Sequence, residues 1–457
     1  MKRTALYLLI AFLVVPTLGS FAQTTNYFGP CATALTSGTT NQGKLICQFP
    51  FSGTLLAQLT FGSSGPVFNA EAAAAFKAAT SINAAVAAQL TQLPVPSATI
   101  GVIQIRKAGS DIPAPFTNLG PILTDRPDTV GRGHVFAEFA FQHFNFNALD
   151  GFSLSTLPLA FSYTDAVGST ADPKVHYGSM NNNIGFQMDQ YIFTATAGVT
   201  RSTDVSAVVP VNNVQVKVTA SNFTAFDYDI NTHSFLSHNP PANTPPLLSA
   251  GSASGLGDII VGVKQMVIGQ DHLPPAAAVG ATFRFPTGDS FNYLGSGALG
   301  GTVYGLVEYR ARFAPHFKIA YVWNGSTKVL STDLQSGGVR LPGGLSYALG
   351  ADYGLGPKLT LSTDLLGNQF INAPYFNRTS TPLNPAPATP GVPANFDNVA
   401  PIPNTYTTVS FSGGVKWSPV PHMVVYGNAL IQVNDVGLRS DVVPLVGIAY
   451  NYKRGTR

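Results

Sequence analysis

Charged side chains are scarce in this chain, and this scarcity excludes several classes of protein. Asp, Glu, Lys and Arg make up 10% of its 457 residues, whereas soluble globular proteins average about 25%. The formal net charge of +3 is too small to indicate a nucleic-acid partner. Beyond the N-terminus there is no run of about 20 apolar residues, which argues against a helical membrane protein. Low charge combined with 45 glycines and 11% aromatic residues is typical of a lipid-facing β-barrel.

Sequence signatures of enzymes and metal sites are also lacking. The chain contains no H-E-x-x-H, no clustered Cys/His spacing and no G-x-S-x-G, so we expect neither a metal site nor a cofactor. Residues 295–300 match G-x-G-x-x-G, but without the βαβ context that a dinucleotide site requires. A barrel hydrolase that assembles Ser and His from different strands stays open as a minor alternative.

The N-terminus has the composition of a secretory signal peptide, residues 1–22. Lys2 and Arg3 precede an apolar core, and Ser20-Phe21-Ala22 forms a small-x-small cleavage site. The alternative is a retained membrane anchor. The two cysteines, Cys31 and Cys47, lie in the exported part, where an oxidising compartment favours a disulfide between them. Two unpaired buried thiols are the alternative.

Residues 23–130 form a segment that differs from the rest of the chain. An Ala-dense run within 68–92 predicts a helix, and 94–130 is rich in proline with one candidate strand at 99–105. The segment ends where the first clear strand begins, and a barrel encloses space that water, side chains or polypeptide must fill. We therefore expect residues 23–130 to plug a barrel formed by 131–457, or else to form a periplasmic domain.

A strand–turn–strand unit at 299–325 shows the pattern of that barrel most clearly. Period-two alternation along it predicts strands with two different environments on their two faces, with a turn at Ala314–Pro315. One face carries Val303, Gly305, Val307, Tyr309, Ala311, Phe313, Phe317, Ile319, Tyr321 and Trp323. The other carries Thr302, Tyr304, Glu308, Arg310, Arg312, His316 and Lys318. Lipid on one side and a polar lumen on the other explain this division.

Twelve such strands follow from residue 134, and fourteen is the alternative, with an extra strand at 152–162. The predicted strands are 134–147, 183–198, 204–220, 256–268, 276–286, 299–313, 316–325, 343–355, 358–370, 405–418, 421–434 and 441–452. The connections after even-numbered strands are short, and those after odd-numbered strands are mostly long. Outer-membrane barrels have short periplasmic turns and long outer loops. The sequence therefore predicts an all-β transmembrane antiparallel barrel in the outer membrane of a Gram-negative-type bacterium, with membrane lipid as a partner.

The same alternation identifies the charged residues that face the lumen. They are Glu138, Lys264, Arg284, Glu308, Arg310, Arg312, Lys318, Asp352, Asp364 and Lys416. Mixed charges around a lumen indicate ion pairs between walls, or between wall and plug. A second interpretation is a basic patch that binds a carboxylate, because Arg recognises carboxylates bidentately.

Several short motifs resemble a family of bacterial outer-membrane transporters. They are 124–133 (TDRPDTVGRG), 141–146 (FQHFNF), 149–151 (LDG), 255–258 (GLGD), 285–289 (FPTGD), 294–297 (LGSG) and 323–325 (WNG). The family is the one described as the MetA pathway of phenol degradation, and it is similar to the fatty-acid transporter FadL. The chain departs from the usual barrel ending, a terminal aromatic residue, because Lys453–Arg457 follow Tyr452.

The resemblance implies passive uptake of small hydrophobic or aromatic compounds and no catalysed reaction. On this hypothesis the ligand arrives through aromatic residues of the long loops. These are Phe223, Phe226, Tyr228, Phe235, Phe291, Tyr293, Tyr375 and Phe376. The competing class is a structural or adhesive barrel whose loops bind surfaces. The substrate and the oligomeric state stay open.

Overall fold

The computed structural model describes most of the barrel and two parts of the N-terminal segment. The described residues are 82, 85–96, 118–164, 174–237, 247–270, 274–327, 339–388 and 390–453. The predicted signal peptide, the Cys31–Cys47 disulfide and the strand at 99–105 lie outside these ranges. Among the described residues, no helix is long and apolar enough to span a membrane.

Twelve antiparallel strands close into a barrel, which confirms the predicted fold and strand number. They are β1 (His134–Phe146), β2 (Lys174–Gly198), β3 (Thr203–Asp229), β4 in two parts, β4a (Leu247–Leu256) and β4b (Ile259–Ile268), β5 (Ala276–Phe285), β6 (Gly300–Glu308), β7 (Phe313–Asn324), β8 (Gly344–Gly354), β9 (Leu359–Pro382), β10 (Asn395–Trp417), β11 (Met423–Gln432) and β12 (Val442–Lys453). Each strand pairs with its sequence neighbours, and β1 closes the ring by pairing with β12. Closure satisfies the backbone hydrogen bonds that lipid cannot provide.

Short elements line the mouth of the barrel at the end where the long connections lie. A small sheet contains Ala148–Leu149, Phe152–Ser153 and Leu438–Arg439. The other accessory strands are Leu157–Thr164, Ser234–Ser237, Ser326–Thr327 and Val339–Arg340, the 3₁₀ turns are Leu154–Thr156 and Ser290–Asn292, and residues 85–90 are helical. Leu157–Thr164 pairs with the outer half of β2 beyond the reach of β1. The fourteen-strand alternative is therefore wrong, because this strand adds to one side of β2 without entering the ring.

The outer face of the wall is an apolar belt. On β7, Phe317, Ile319 and Tyr321 are exposed, while the intervening His316 and Ala320 are buried in the barrel. The same alternation continues on β8 and β12, and aromatic residues such as Trp417 and Tyr452 lie near the short-turn rim. A closed wall with this belt and aromatic rim is that of an outer-membrane barrel, with lipid as its surroundings.

Two hairpins, β2–β3 and β9–β10, rise well above the belt. Their strands begin or end 9 to 12 residues beyond the predicted boundaries of 183, 220, 370 and 405. Above the belt their outer faces carry polar residues such as Gln187 and Lys217. The prediction missed these extensions because neither face meets lipid there, so the alternation between apolar and polar residues weakens.

The raised hairpins meet over the mouth of the barrel through the strand Leu157–Thr164. The Asn398 side chain donates to the Ala160 carbonyl at 2.8 Å and accepts from its N–H at 3.1 Å. The Tyr177 hydroxyl donates to the Asn384 carbonyl at 2.8 Å. Tyr177, Phe226, Tyr228, Leu383 and Phe396 form an apolar cluster in this contact. We call the two raised hairpins and Leu157–Thr164 the roof.

The turn between β6 and β7 lies at 309–312, so the predicted turn at Ala314–Pro315 is wrong by a few residues. Both of those residues belong to β7, and the Tyr309 N–H donates to the Pro315 carbonyl at 3.0 Å. Pro315 suggested a turn because it lacks an N–H. The displaced turn changes the position of Arg312, as described below.

Candidate functional site in the barrel lumen

Two parts of the N-terminal segment lie inside the barrel. Residues 85–96 occupy the outer half of the lumen, where Ile82 and Val86 belong to a large apolar cluster with wall residues such as Phe186 and Val216. Residues 118–130 occupy the periplasmic half, next to the short-turn rim. The Pro94 carbonyl accepts from the Gln142 side chain at 3.0 Å, and the Leu119 N–H donates to Thr360 Oγ1 at 2.8 Å. The wall therefore contacts each segment through hydrogen bonds as well as packing.

Ion pairs attach the inner segment 118–130 to β6 and its turn. The Arg126 guanidinium donates to both oxygens of Glu308, from Nε at 3.2 Å and from Nη2 at 2.8 Å. Arg310 donates to Asp128 Oδ1 at 2.5 Å, and Asp128 also lies 3.4 Å from Arg126. All four side chains are at most 4% exposed. Buried, bidentate pairs of this kind hold the two partners, here the inner segment and the wall, in a defined relative position.

Further polar contacts continue around the same level of the lumen. Lys264 Nζ on β4b donates to Asp125 at 3.2 Å and to the Arg126 carbonyl at 2.8 Å. Thr124 donates to Asp364 Oδ1 at 2.8 Å, and the His316 ring nitrogen lies 2.6 Å from the same oxygen. We call the contacts of 124–128 with β4b, β6, the following turn and β9, together with the His316–Asp364 contact, the charged ring.

The structure places most of the predicted lumen residues inside the barrel, but it divides them among different partners. Glu308, Arg310, Lys264 and Asp364 join the charged ring. Lys416 donates to the carbonyls of Leu119 and Pro121. Glu138 accepts from Tyr426. Asp352 lies 3.5 Å from His316, and Lys318 contacts the Tyr304 ring.

Arg312 does not face the lumen, which corrects its predicted position. It is exposed in the turn between β6 and β7, where it donates to the Gly354 carbonyl at 2.8 Å and lies over the Tyr353 ring. The alternation places it inside only if the strand continues to Phe313, and the strand ends at Glu308.

The sequence analysis missed the partners within the inner segment, namely Asp125, Arg126 and Asp128. They stand in a polar, turn-rich stretch that carries no periodic signal. The order of charges in 125–128, Asp-Arg-Pro-Asp, could have identified them. These charges are opposite in sign to Lys264, Glu308 and Arg310, which the sequence predicts for the wall.

A cavity of about 270 Å³ lies between the two inner segments. One side is formed by 91–96 and another by Leu123, Thr124 and Asp125. Wall residues contribute apolar groups, hydroxyls, an amide, two ammonium groups and a carboxylate, among them Val208, Ile260, Val322, Ala348, Leu366, Thr282, Thr302, Tyr304, Ser346, Asn368, Lys264, Lys318 and Asp204. Mixed lining of this type is common in small-molecule sites. We call this cavity the chamber.

Above the chamber, the loop 286–299 folds into the lumen and is attached to the wall at the break between β4a and β4b. Asp258 accepts from the Ser296 N–H at 2.8 Å, the Ser296 hydroxyl at 2.6 Å and the Gly288 N–H at 3.2 Å. The Thr287 hydroxyl donates to the Gly257 carbonyl at 2.7 Å. The motifs at 255–258, 285–289 and 294–297 are therefore parts of a single attachment.

Arg284 connects this attachment to residues 85–96, the segment in the outer half of the lumen. It lies 3.6 Å from Asp258, donates to the Thr91 carbonyl at 2.8 Å and donates to Asn324 at 2.5 Å. Asn324 belongs to the 323–325 motif. A cation beside the last carbonyls of a helix is favourable, so Arg284 stabilises the end of the helical turn 85–90.

The Leu149-Asp-Gly151 motif forms a third attachment at the mouth. Asp150 and Gly151 have φ values of 50° and 83°, as a two-residue type I′ hairpin requires. The buried Asp150 carboxylate accepts from the Phe376 N–H at 2.8 Å and the Gly437 N–H at 2.7 Å. This motif therefore connects the loop after β1 to β9 and to the loop between β11 and β12.

Asp150 is expected to make stability depend on pH. Burial raises the pKa of this carboxyl from 3.8 to about 6, although the two N–H donors lower it. The protonated Asp150 carboxyl therefore contributes to the free energy of unfolding. This contribution is complete below the pKa of the unfolded state and is lost as the pH rises through 6. About two pKa units correspond to about 3 kcal/mol. In urea titrations of the micelle-embedded protein, wild type should gain stability relative to D150N between pH 7 and pH 4. The exposed D435N control should follow wild type, and an equal pH dependence in D150N would contradict the assignment.

Among the residues that the structure describes, no group of three or more His, Cys, Asp or Glu side chains is arranged to hold a metal ion.

Comparison with known proteins supports the family suggested by the motifs. Residues 164–356 match the family described as "Putative MetA-pathway of phenol degradation". No curated protein matches the chain. Solved structures with a similar shape include an outer membrane channel from Pseudomonas putida F1, at 10% identity and a TM-score of 0.41, covering 71% of this chain and 98% of that one. The CymD monoaromatic hydrocarbon channel is 12% identical with a TM-score of 0.29, covering 71% of this chain and 90% of that one. A Pseudomonas aeruginosa FadL homologue is 8% identical with a TM-score of 0.26, covering 70% of this chain and 89% of that one. The family predicted from the motifs is thus confirmed over residues 164–356, the part of the chain that its family model matches.

Proposed function

We propose that the protein is an outer-membrane channel for passive uptake of small hydrophobic or aromatic compounds. The observation that carries this proposal is the chamber, because it places a ligand-sized space with mixed lining inside a membrane-spanning wall. Phenol degradation, named in the description of the matching family, supports aromatic compounds as the substrate class.

The order of environments along the lumen supports the same proposal. The outer half holds a large apolar cluster that includes Tyr293 and Phe376, so an apolar compound meets apolar side chains before it reaches the chamber. The charged ring lies below. Both segments that border the chamber are non-wall polypeptide, and we propose that they act as a plug that moves when the ligand passes.

The adhesive alternative relies on the long loops, and the aromatic residues there are mostly inside. Phe226 and Tyr228 are buried in the roof, and Tyr293 and Phe376 in the outer-half cluster. These rings stabilise the outer part of the barrel, so they favour a path through the lumen over a binding surface. For the hydrolase alternative, the buried His316 ring contacts two carboxylates, Asp352 and Asp364, which does not resemble a Ser–His pair.

Uptake by whole cells tests the proposal. Cells that lack the protein should accumulate radiolabelled toluene and benzyl alcohol more slowly than wild-type cells at low external concentration, and expression of the full chain should restore the rate. Unchanged uptake in the deletion strain would exclude the transport function. A wild-type rate of glucose uptake serves as the control for general membrane integrity.

A further inference from the structure

Lys318 differs from the other ammonium group that lines the chamber. Lys264 is 4% exposed and donates to the Asp125 carboxylate and the Arg126 carbonyl. Within the described part of the chain, the contact formed by the Lys318 ammonium is with the Tyr304 ring, 4.7 Å from its centroid. A cation–π contact attracts a cation but does not neutralise its charge. Asp125 and Asp364 attract the Lys318 ammonium through space. Among the ion pairs of the described residues, however, Asp125 is the direct partner of Lys264, at 3.2 Å, and Lys318 belongs to none of them.

Three neighbouring strands position this group. Tyr304 on β6 lies directly across from Gly280 on β5, and a Cβ atom at Gly280 would lie 2.3 Å from the tyrosine ring. Glycine thus lets the ring lie flat against the wall, and Lys318 on β7 extends over the ring. Such coverage of a glycine by a cross-strand aromatic residue is a recognised way to stabilise a sheet. The ammonium is consequently held at a defined place in the chamber.

The remaining lining indicates the shape and polarity of a ligand. Val322, Ala348 and Leu366 offer apolar surface for a ring, and Ser346 and Asn368 offer hydrogen bonds. A hydrocarbon would fill the chamber but leave the ammonium desolvated without a hydrogen-bond acceptor, which is costly. Asp204 also lines the chamber, and its carboxylate would repel an acidic group, whereas Lys318 would attract it.

From this arrangement we propose that the chamber binds small aromatic acids, with the carboxylate on the Lys318 ammonium and the ring on the apolar wall. The inference rests on the proposed uptake function and specifies its substrate class. Lys318 acts as the specificity-determining residue, because it separates aromatic acids from neutral compounds of the same size.

Calorimetric titration of the purified full-length protein in detergent tests this with benzoate and with benzyl alcohol, a neutral compound of similar size. Wild type should bind benzoate about 10-fold more tightly or better. K318M should lower the affinity for benzoate about 10- to 100-fold and change the affinity for benzyl alcohol by no more than about twofold. K318R should retain most of the benzoate affinity because it keeps the charge. K217M, an exposed lysine on the outer face of β3, is the matched control and should behave as wild type.

The possible outcomes distinguish this inference from the uptake function. Equal benzoate affinity in wild type and K318M would overturn the inference. It would also be overturned if K318M and K318R both lost affinity for benzoate and for benzyl alcohol to the same extent. If cells still require the protein for toluene uptake in either case, the uptake function stands while the assignment of aromatic acids fails. If uptake of all compounds is independent of the protein, the proposed function itself fails.

Discussion

Replacing Arg126 with methionine is expected to release the inner segment 118–130 and raise ion conductance through the barrel. The substitution leaves Glu308 without its bidentate partner in a position that is fully buried. Removing one member of a buried ion pair costs about 3–5 kcal/mol. That cost shifts the equilibrium between attached and released segment by about 150- to 4,000-fold. Single-channel recording in planar bilayers should show a rare open state in wild type and a frequent one in R126M.

Two further variants show whether the effect comes from the uncompensated charge. R126M/E308Q removes both partners, so no unpaired charge remains at this position, and its conductance should lie nearer to that of wild type. R312M removes an arginine of the same turn whose side chain is exposed, and it should leave conductance unchanged. If R126M conducts like wild type while folding normally, the ion pairs do not hold the segment.

The lipid-facing wall could be predicted from sequence because each strand within the belt contacts two contrasting environments. Ile319 and Tyr321 meet lipid while Lys318 and Ala320 meet the lumen, and this contrast is present in the order of residues. Above the belt the contrast disappears. The outer parts of β2, β3, β9 and β10 were therefore missed, although they continue the antiparallel ladders, with one register shift at 179–181 on β2 and one at 370–373 on β9.

The partners inside the lumen could not be predicted for a different reason. Alternation assigns Glu308 and Arg310 to the inner face, but it contains no information about which side chain lies opposite. The contact between Arg126 and Glu308 joins residues 182 positions apart, and it depends on how a non-periodic segment folds within a closed wall. The Gly280–Tyr304 contact that places Lys318 depends in the same way on cross-strand register.

Short motifs carried more structural information than their length suggested. The segments 255–258, 285–289 and 294–297 were notable only as turn-like sequences, and their common role emerges at Asp258. Gly295 shows why the residue type matters, because a Cβ atom there would lie 2.2 Å from Asp258 Oδ1. Glycine at this position allows the loop to approach the carboxylate closely.

Replacing Asp258 with alanine is expected to loosen the loop 286–299 and open the outer half of the lumen. The change leaves the buried Ser296 N–H and the partly buried Gly288 N–H without their acceptor, while the Ser296 hydroxyl keeps a second acceptor in the Ala298 carbonyl at 3.2 Å. Unsatisfied buried donors of this kind cost about 1–3 kcal/mol each. A net loss of about 3 kcal/mol corresponds to about 100-fold faster amide exchange at Gly288 and Ser296. Hydrogen exchange measured by mass spectrometry in lipid nanodiscs would report it.

The matched control lies in the same loop. Asp289 is exposed and caps the 3₁₀ turn by accepting from the Phe291 N–H at 3.0 Å, so D289A should accelerate exchange near Phe291 and leave Ser296 protected. D258N keeps one acceptor oxygen and should fall between wild type and D258A.

The effect of D258A should also be confined to one end of the lumen. Tyr293 packs against Phe186 with ring centroids 5.4 Å apart, so a loosened loop weakens the apolar cluster above the chamber and leaves the charged ring below it intact. We therefore expect exchange in 118–130 to stay at the wild-type level in D258A and to increase in R126M. Faster exchange in both regions in either variant would instead mean that the loop 286–299 and the inner segment 118–130 move together, and the chamber would then open at both ends at once.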